Sequence, residues 1–390
     1  MALRLGSPTG TSSSSRRASE RSTGLLQVAS VGCDALAESE PQAVGVTHWF
    51  DAAHGGEPYT VVVRFVGHRI GPGEPGPRDS FDVSETVERV TPGSRCVAVT
   101  ARIEDIAPGE WSVTSTLVTQ RHPGTGTRTS TGLPSPLGAR ASGMTGFGPV
   151  IRVRAPGAHL GVWPALVSLG VAVALTVQSR LAAHEHLPVA ATLWVSLIAS
   201  VVGVLGARIY YLAEQGRRVH LEPRALLTAG MCIQGFVLAA IAAASTGMFL
   251  LGVSVGRFLD VTAPGLMFGM TIGRFGCFFG GCCAGRPTAS CWGLWSSDRR
   301  VGTRRVPTQL IEAGIAFAVG MAALIAIVTM SAEPAGAVFV GAMAAYTLGR
   351  QLLFPLRDLP RKTLHGRRLT ATLATAVVLA DILVVLAWAS

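Results

Sequence analysis

Two stretches carry residues whose type and spacing suit chemistry in an apolar setting. The first runs DVTAPGLMFGMTIGRFGCFFGGCCAG from Asp260 to Gly285, with Arg274 inside an otherwise apolar run. A guanidinium placed there costs about 3 kcal/mol or more unless it faces a cavity, a counter-charge or a substrate. Gly265, Gly269 and Gly273 recur every four residues, so they are expected on one helix face, open to close approach by a neighbouring backbone. The second stretch is RRVPTQLIE, Arg304 to Glu312. Pro307 suits the first turn of a helix, which would set Arg305, Gln309 and Glu312 near one another. On the residues alone, Arg305 is either an interfacial cation paired with Glu312 or one of two arginines meeting in a cavity. Two such arginines would hold a phosphate by paired, charge-assisted hydrogen bonds. An antiparallel hairpin between the two stretches would return Arg305 to the membrane face of Arg274.

Four of the seven cysteines, Cys277, Cys282, Cys283 and Cys291, crowd into the first stretch and its sequel. Thiolates bind zinc or copper(I) and clustered thiols can change redox state. The Cys-x4-Cys-Cys spacing is not a usual zinc pattern and no histidine stands near it, so the expectation is small-residue packing, with no metal. His184 and His186 read as loop residues, and Asp381 as an acid within the last apolar run, facing the bundle.

The elements that must position these groups are apolar runs of helical length. About 20 residues at 1.5 Å each cross the roughly 30 Å of a bilayer's hydrocarbon. Such runs occupy Leu160 to Gln178, Pro188 to Leu212, Arg224 to Ser245, Pro264 to Cys283, Thr308 to Met330, Ala335 to Phe354 and Leu369 to Trp388. A shorter run, Met248 to Val255, reads as an interfacial turn or an extension of its neighbours. Before them, Thr60–Val66, Ser80–Val83, Cys96–Ile103 and Trp111–Val118 are β-branched, partly alternating and separated by Gly/Pro turns. The expected fold is therefore mainly α: a polytopic membrane helix bundle of about seven helices with an N-terminal β-sandwich-like domain. Its domains would be a disordered tail over 1–42, a small β-domain over 43–118, a Gly/Pro/Ser/Thr-rich linker over 119–158 and a transmembrane domain over 159–390.

Composition agrees: 49% of residues are apolar and 14% charged, against about a quarter charged in ordinary soluble domains. The net charge of +10 does not argue for a nucleic-acid partner, because the basic residues are scattered over the tail and the loops between apolar runs. Thirty-two of the 33 are arginine, Lys362 being the one lysine, which points to genome composition. The odd cysteine count does not suggest a disulfide framework. The first residues lack the apolar core of a usual signal peptide, and Cys33 after Ser30-Val31-Gly32 is only faintly like a lipobox. Arg217, Arg218 and Arg224, then Arg286, Arg299, Arg300, Arg304 and Arg305, then Arg357, Arg361, Lys362, Arg367 and Arg368 all fall in loops on one side. The positive-inside rule would place that side, and the N terminus, in the cytoplasm.

Several motifs occur in one order: Gly206-Ala207-Arg208-x-x-Tyr211, then Asp260-x-x-Ala263-Pro264, then Gly273-Arg274-Phe275-Gly276 with Phe278, Gly281 and Gly285, then Arg305-x-Pro307-Thr308-Gln309-Leu310-x-Glu312. With these the chain, over roughly Leu160 to Ser390, resembles the prolipoprotein diacylglyceryl transferases, in a divergent Cys-rich form. That family moves a diacylglyceryl group from phosphatidylglycerol to the thiol of a lipobox cysteine. The resemblance implies a multi-pass protein of the bacterial cytoplasmic membrane, with phosphatidylglycerol, a prolipoprotein lipobox peptide and membrane lipid as partners, no nucleic acid and no cofactor. It implies catalytic roles for Arg274, Arg305, Glu312 and Asp260, the arginines handling the phosphatidylglycerol head group and the acids orienting them. Gln309, Gly285, Gln234 and Tyr211 would complete the substrate-binding set. It also implies an N terminus outside, against the loop charges, and that orientation is the one expected here, because phosphate-binding arginines inflate one loop's count.

The departures from the family pattern bear on mechanism. Gln234, in Met231-Cys232-Ile233-Gln234-Gly235, stands where the family has a catalytically important histidine. A glutamine accepts no proton near neutral pH, so it cannot replace a general base. Cys277 replaces the signature asparagine, Gly281-Cys282 the following Gly-Glu pair, and Pro164 and Ser168 stand nearest the first-helix tyrosines. The alternative reading is a catalytically degenerate member that binds lipid or protein.

Overall fold

The computed structural model describes residues 25–29, 39–71, 76–120, 138–215, 232–329, 334–358 and 365–389. Most of the expected disordered tail, residues 121–137 of the expected linker, and the loop charges Arg217, Arg218, Arg224, Arg361 and Lys362 lie outside them. The chain is mainly helical with N-terminal sheets, and it divides into two compact units: 1–161 with 278–307, and 162–277 with 308–390.

The first unit is built on strands β1 (Leu26–Val28), β2 (Gln42–Asp51), β3 (Tyr59–Ile70), β4 (Ser80–Val90), β5 (Cys96–Glu104), β6 (Glu110–Gln120), β7 (Ala139–Met144), β8 (Gly146–Phe147), β9 (Leu294–Ser297) and β10 (Val301–Arg305), with a short helix α1 (Gly148–Val153). One antiparallel sheet runs β1-β2-β5-β10-β9, with β8 also on β2; the other runs β4-β3-β6-β7. β3 shows why its sequence makes a strand. Val61, Val63 and Phe65 point into the core at the two-residue period of a pleat while Arg64 and Val66 point out. Both sheets feed one apolar core, Val44, Val46, Val97 and Val99 from the first meeting Val61, Phe65, Trp111 and Val113 from the second. Trp111 is fully buried, its indole N–H donating to the Ala107 carbonyl at 3.1 Å. Deleting such a ring costs about 3–5 kcal/mol. β9 and β10, from the segment between two helices, join the first sheet, a pairing with no local signal in the sequence. Val301 stands opposite Val99, and Gly302 opposite Ala98.

The second unit holds α2 (Val162–His184), α3 (Val189–Gln215), α4 (Ile233–Leu250), α5 (Val255–Phe279, its last two residues in the first unit), α6 (Thr308–Thr329), α7 (Ala337–Leu353) and α8 (Gly366–Ala389). Five helices among the described residues are long and apolar enough to cross a membrane: Val162–His184, Val189–Glu214, Thr308–Thr329, Ala337–Leu356 and Gly366–Trp388. α5 begins nine residues before Pro264 and carries that proline in its interior. Two of the three spaced glycines act as expected. A Cβ at Gly269 would lie 2.8 Å from the Gly170 carbonyl, and one at Gly265 would strike the Ala174 carbonyl, so α2 and α5 approach backbone to backbone. Gly273 does not share this role, since a Cβ there would meet nothing within 4 Å. Gln178 ties the same region together, its amide donating to Ser196 at 2.9 Å and Thr262 at 2.7 Å. Asp381 faces α7, where Gly341 leaves room for its carboxylate at a groove of about 400 Å³ among α6, α7 and α8.

Candidate functional site

Arg274 lies on α5, five residues before its end, and Glu312 one turn into α6. The helical unit brings them together: Nη2 of Arg274 is 2.9 Å from Oε1 of Glu312. The same nitrogen donates to the Tyr346 hydroxyl at 3.1 Å, and that hydroxyl donates to Glu312 Oε1 at 2.7 Å. Arg350, in the last turn of α7, donates to Oε1 at 2.8 Å, and Arg357, just beyond α7, donates to Oε2. Glu312 is 1% exposed, Arg274 14% and Arg357 2%. One buried carboxylate thus serves three guanidinium groups, leaving two positive charges in excess among these four side chains. Three guanidinium groups gathered in an apolar surround suit an anionic group.

Arg350, Arg357 and Tyr346 were missed from the sequence. Arg350 gave the same signal as Arg274, a charge within an apolar run. Arg357 read as one more loop charge, and Tyr346 carried no signal beyond its place in an apolar run.

Asp260 lies elsewhere in the helical unit. Its Oδ2 accepts the Gly336 N–H at 2.6 Å and its Oδ1 the Phe339 N–H at 2.9 Å, so it satisfies the open donors at the start of α7. Gln309 is buried in the first turn of α6, one turn before Glu312. Tyr211 sits near the end of α3. Gln234 is exposed at the start of α4, where its amide oxygen accepts from the Cys232 thiol at 3.2 Å. A Cβ at Gly235 would strike the Gly206 carbonyl, so the Gly206 motif on α3 and the Gly235 turn of α4 are packed by close backbone approach.

Arg305 belongs to the sheet unit and is the last residue of β10, so helical spacing to Glu312 does not describe it. Its acid is Asp298, 2.8 Å from Nη2. Nη1 donates to the Gly285 carbonyl at 3.0 Å and Nη2 to that of Val301 at 3.2 Å. The side chain is 2% exposed. Gly285 therefore enters through its carbonyl, as an acceptor for Arg305.

Residues 151–388 match the family model described as prolipoprotein diacylglyceryl transferase. Proteins named phosphatidylglycerol-prolipoprotein diacylglyceryl transferase are similar to the chain at modest identity. That of Frankia alni is 28% identical over 241 residues, 58% of this chain and 59% of its own length. That of Mycobacterium tuberculosis is 29% identical over 270 residues, 63% of this chain and 56% of its own. That of Chloroflexus aggregans is 35% identical over 101 residues, 25% of this chain and 33% of its own. The chain thus spans from a third to about three fifths of the length of these relatives. Since the family model takes in well over half of the sequence, including α2 to α7, nearly all of α8, and the β9–β10 hairpin, the chain belongs to the prolipoprotein diacylglyceryl transferase family.

Proposed function

We propose that this protein transfers a diacylglyceryl group from phosphatidylglycerol to the lipobox cysteine thiol of a prolipoprotein. The observation that carries the reading is the gathering of Arg274, Arg350 and Arg357 around the single buried carboxylate of Glu312. A phosphodiester carries the negative charge that three guanidinium groups in one place are suited to bind. In the reaction the cysteine sulfur forms a bond to the terminal glyceryl carbon, the bond from that carbon to the phosphate oxygen breaks, and glycerol phosphate departs with the electron pair. The leaving phosphate gains charge as the bond breaks, so fixed guanidinium groups favour the transition state over the bound lipid. Glu312 holds Arg274 in place and Tyr346 links the two.

Gln234 cannot take the thiol proton. An unassisted cysteine thiol, with a pKa near 8.5, is a few per cent thiolate at pH 7, and its proton passes to water. Arg305 is retained as a second headgroup residue on its position in the family motif. In this reading α2 to α8 all cross the bacterial cytoplasmic membrane, making seven spans. The two sheets form a β-sandwich outside, reached by the lipobox peptide.

The test is labelled phosphatidylglycerol binding and diacylation of a lipobox peptide by wild type, Arg274→Lys and Arg274→Ala. Lysine keeps the charge but loses the planar fork, so both variants are expected to lose about a hundredfold or more in diacylation. Lipid binding by wild type without any diacylation would favour the degenerate, lipid-binding member. A lysine variant equal to wild type would remove Arg274 from the site.

A further inference from the structure

We propose that the N-terminal sheet domain is a positioning element for Arg305: it clamps the β9–β10 hairpin and so fixes the guanidinium at the hairpin's end. This rests on the headgroup role given to Arg305 above. The strands that make the clamp, β2, β4 and β5, precede the segment matching the family model, whereas the hairpin lies inside it.

Three sets of contacts make the clamp. The first is main chain: β10 pairs with β5, and the Thr100 N–H donates to the Arg300 carbonyl at 2.8 Å. The second is aromatic. Trp49, Ala98 and Gly302 stand in one row across β2, β5 and β10. The two small residues leave a bed for the rings of Trp49 and Trp295, which stack at 5.6 Å with an 18° interplanar angle. A Cβ at Gly302 would lie 2.6 Å from the Trp295 ring, and the indole N–H donates to the Cys96 carbonyl at 3.1 Å. The third is polar. Arg300 donates to Glu85 at 2.9 Å and to the Thr86 carbonyl at 2.7 Å, while Arg102 donates to the Arg299 carbonyl.

These contacts converge on one turn. Arg299 has φ +75°, a left-handed conformation that a non-glycine residue adopts only where its surroundings hold it there. Asp298 Oδ1 accepts the N–H of Arg300 at 2.9 Å and of Val301 at 2.6 Å, which fixes the carboxylate's orientation. Its Oδ2 then receives Arg305 at 2.8 Å. The path from sheet to guanidinium is therefore continuous: β5 and Glu85 hold Arg300 and Val301, these orient Asp298, and Asp298 orients Arg305. The residues of the clamp act through Arg305 and touch no substrate.

The experiment uses the full chain with Trp49→Ala, Glu85→Ala and the conservative Trp49→Phe, each alone and combined with Arg305→Lys. Arg64→Ala, which breaks an exposed pair with Asp82 on the same domain, serves as control. Hydrogen exchange at the Thr100 amide and across 294–305 is expected to rise in Trp49→Ala and Glu85→Ala and to stay at wild-type level in Trp49→Phe and the control. Diacylation kcat/KM should fall about ten- to a hundredfold in the first two, as for a displaced catalytic group, and recover in Trp49→Phe. Combined with Arg305→Lys, the clamp variants should add no further loss. Unchanged exchange would overturn the clamp, and equal losses with and without Arg305→Lys would overturn action through Arg305. If wild type proves inactive, the transferase reading fails on its own, and the same cycle is read on the Kd for phosphatidylglycerol vesicles, where additivity or no effect again overturns the proposal.

Discussion

Replacing Glu312 with Gln keeps the size and a hydrogen-bond acceptor but removes the one negative charge that Arg274, Arg350 and Arg357 share. Arg350 is about a third exposed, so its pairing contributes roughly 1 kcal/mol or less once solvent screening is counted. Arg274 is only 14% exposed, and stranding a charge in such a setting costs about 3–5 kcal/mol. For a helical unit of this size that corresponds to a fall in unfolding temperature of roughly 10 °C. An anionic lipid should then matter more to the variant than to wild type, because it supplies the missing charge. At a lipid concentration about a hundredfold above Kd it would return about 2.7 kcal/mol. The assay is thermal unfolding of wild type and Glu312→Gln in a neutral detergent, with phosphatidylglycerol or phosphatidylcholine added. Phosphatidylglycerol is expected to restore most of the loss and phosphatidylcholine little of it. A variant as stable as wild type, or equal rescue by both lipids, would refute the reasoning that this group is suited to an anion.

Burial lowers the pKa of His48, whose Nδ1 lies 2.8 Å from the Ser115 hydroxyl in the sheet core. The folded state thus disfavours the protonated ring. The stability it contributes is fully present above the unfolded value of 6.5 and is lost as pH falls through the lower folded value. His48→Gln should flatten that part of the unfolding profile, measured by denaturant titration between pH 7 and about 5. A reporter fused at Gly138 is expected to read outside the cytoplasm, and cytoplasmic activity there would reverse the orientation. Purified wild type is expected to carry no stoichiometric zinc or copper; metal lost on Cys282→Ser would give the cysteines a role beyond packing.

Run length made the helices legible. Thr308 to Met330 was expected and α6 spans Thr308–Thr329; Ala335 to Phe354 was expected and α7 spans Ala337–Leu353. α5 was placed too late because Arg257 and Asp260 lower the local hydropathy, and Pro264 reads as a helix start. Yet the Asp260 carboxylate is occupied by two amides of α7, which offsets its burial, and the proline removes a single helical hydrogen bond. The Met248 to Val255 run resolves into the end of α4, a turn through Gly252 at φ +68°, and the start of α5. The hairpin was illegible for a different reason. β9 and β10 have four and five residues, too short for a period, and the partner strand β5 lies some two hundred positions earlier. Without that partner, Pro307 made Arg305 look helical and Glu312 look like its acid.

For the site, the sequence showed which charges had no ordinary reason to be buried but not how they would be shared. Arg274 stood out as a charge in an apolar run and Glu312 as the acid spaced to meet Arg305, and pairing Arg274 with Glu312 alone would give a neutral couple with nothing left to bind an anion. What turns the pair into an anion site is the arrival of Arg350 and Arg357 at the same carboxylate, with Tyr346 wedged between the first two. That arrival depends on α7 packing beside α6, a tertiary fact with no local signature. The surplus charge is thus a property of three helices together, α5, α6 and α7 with the residue just beyond it. Moving any one of them should change lipid binding before it changes helix content.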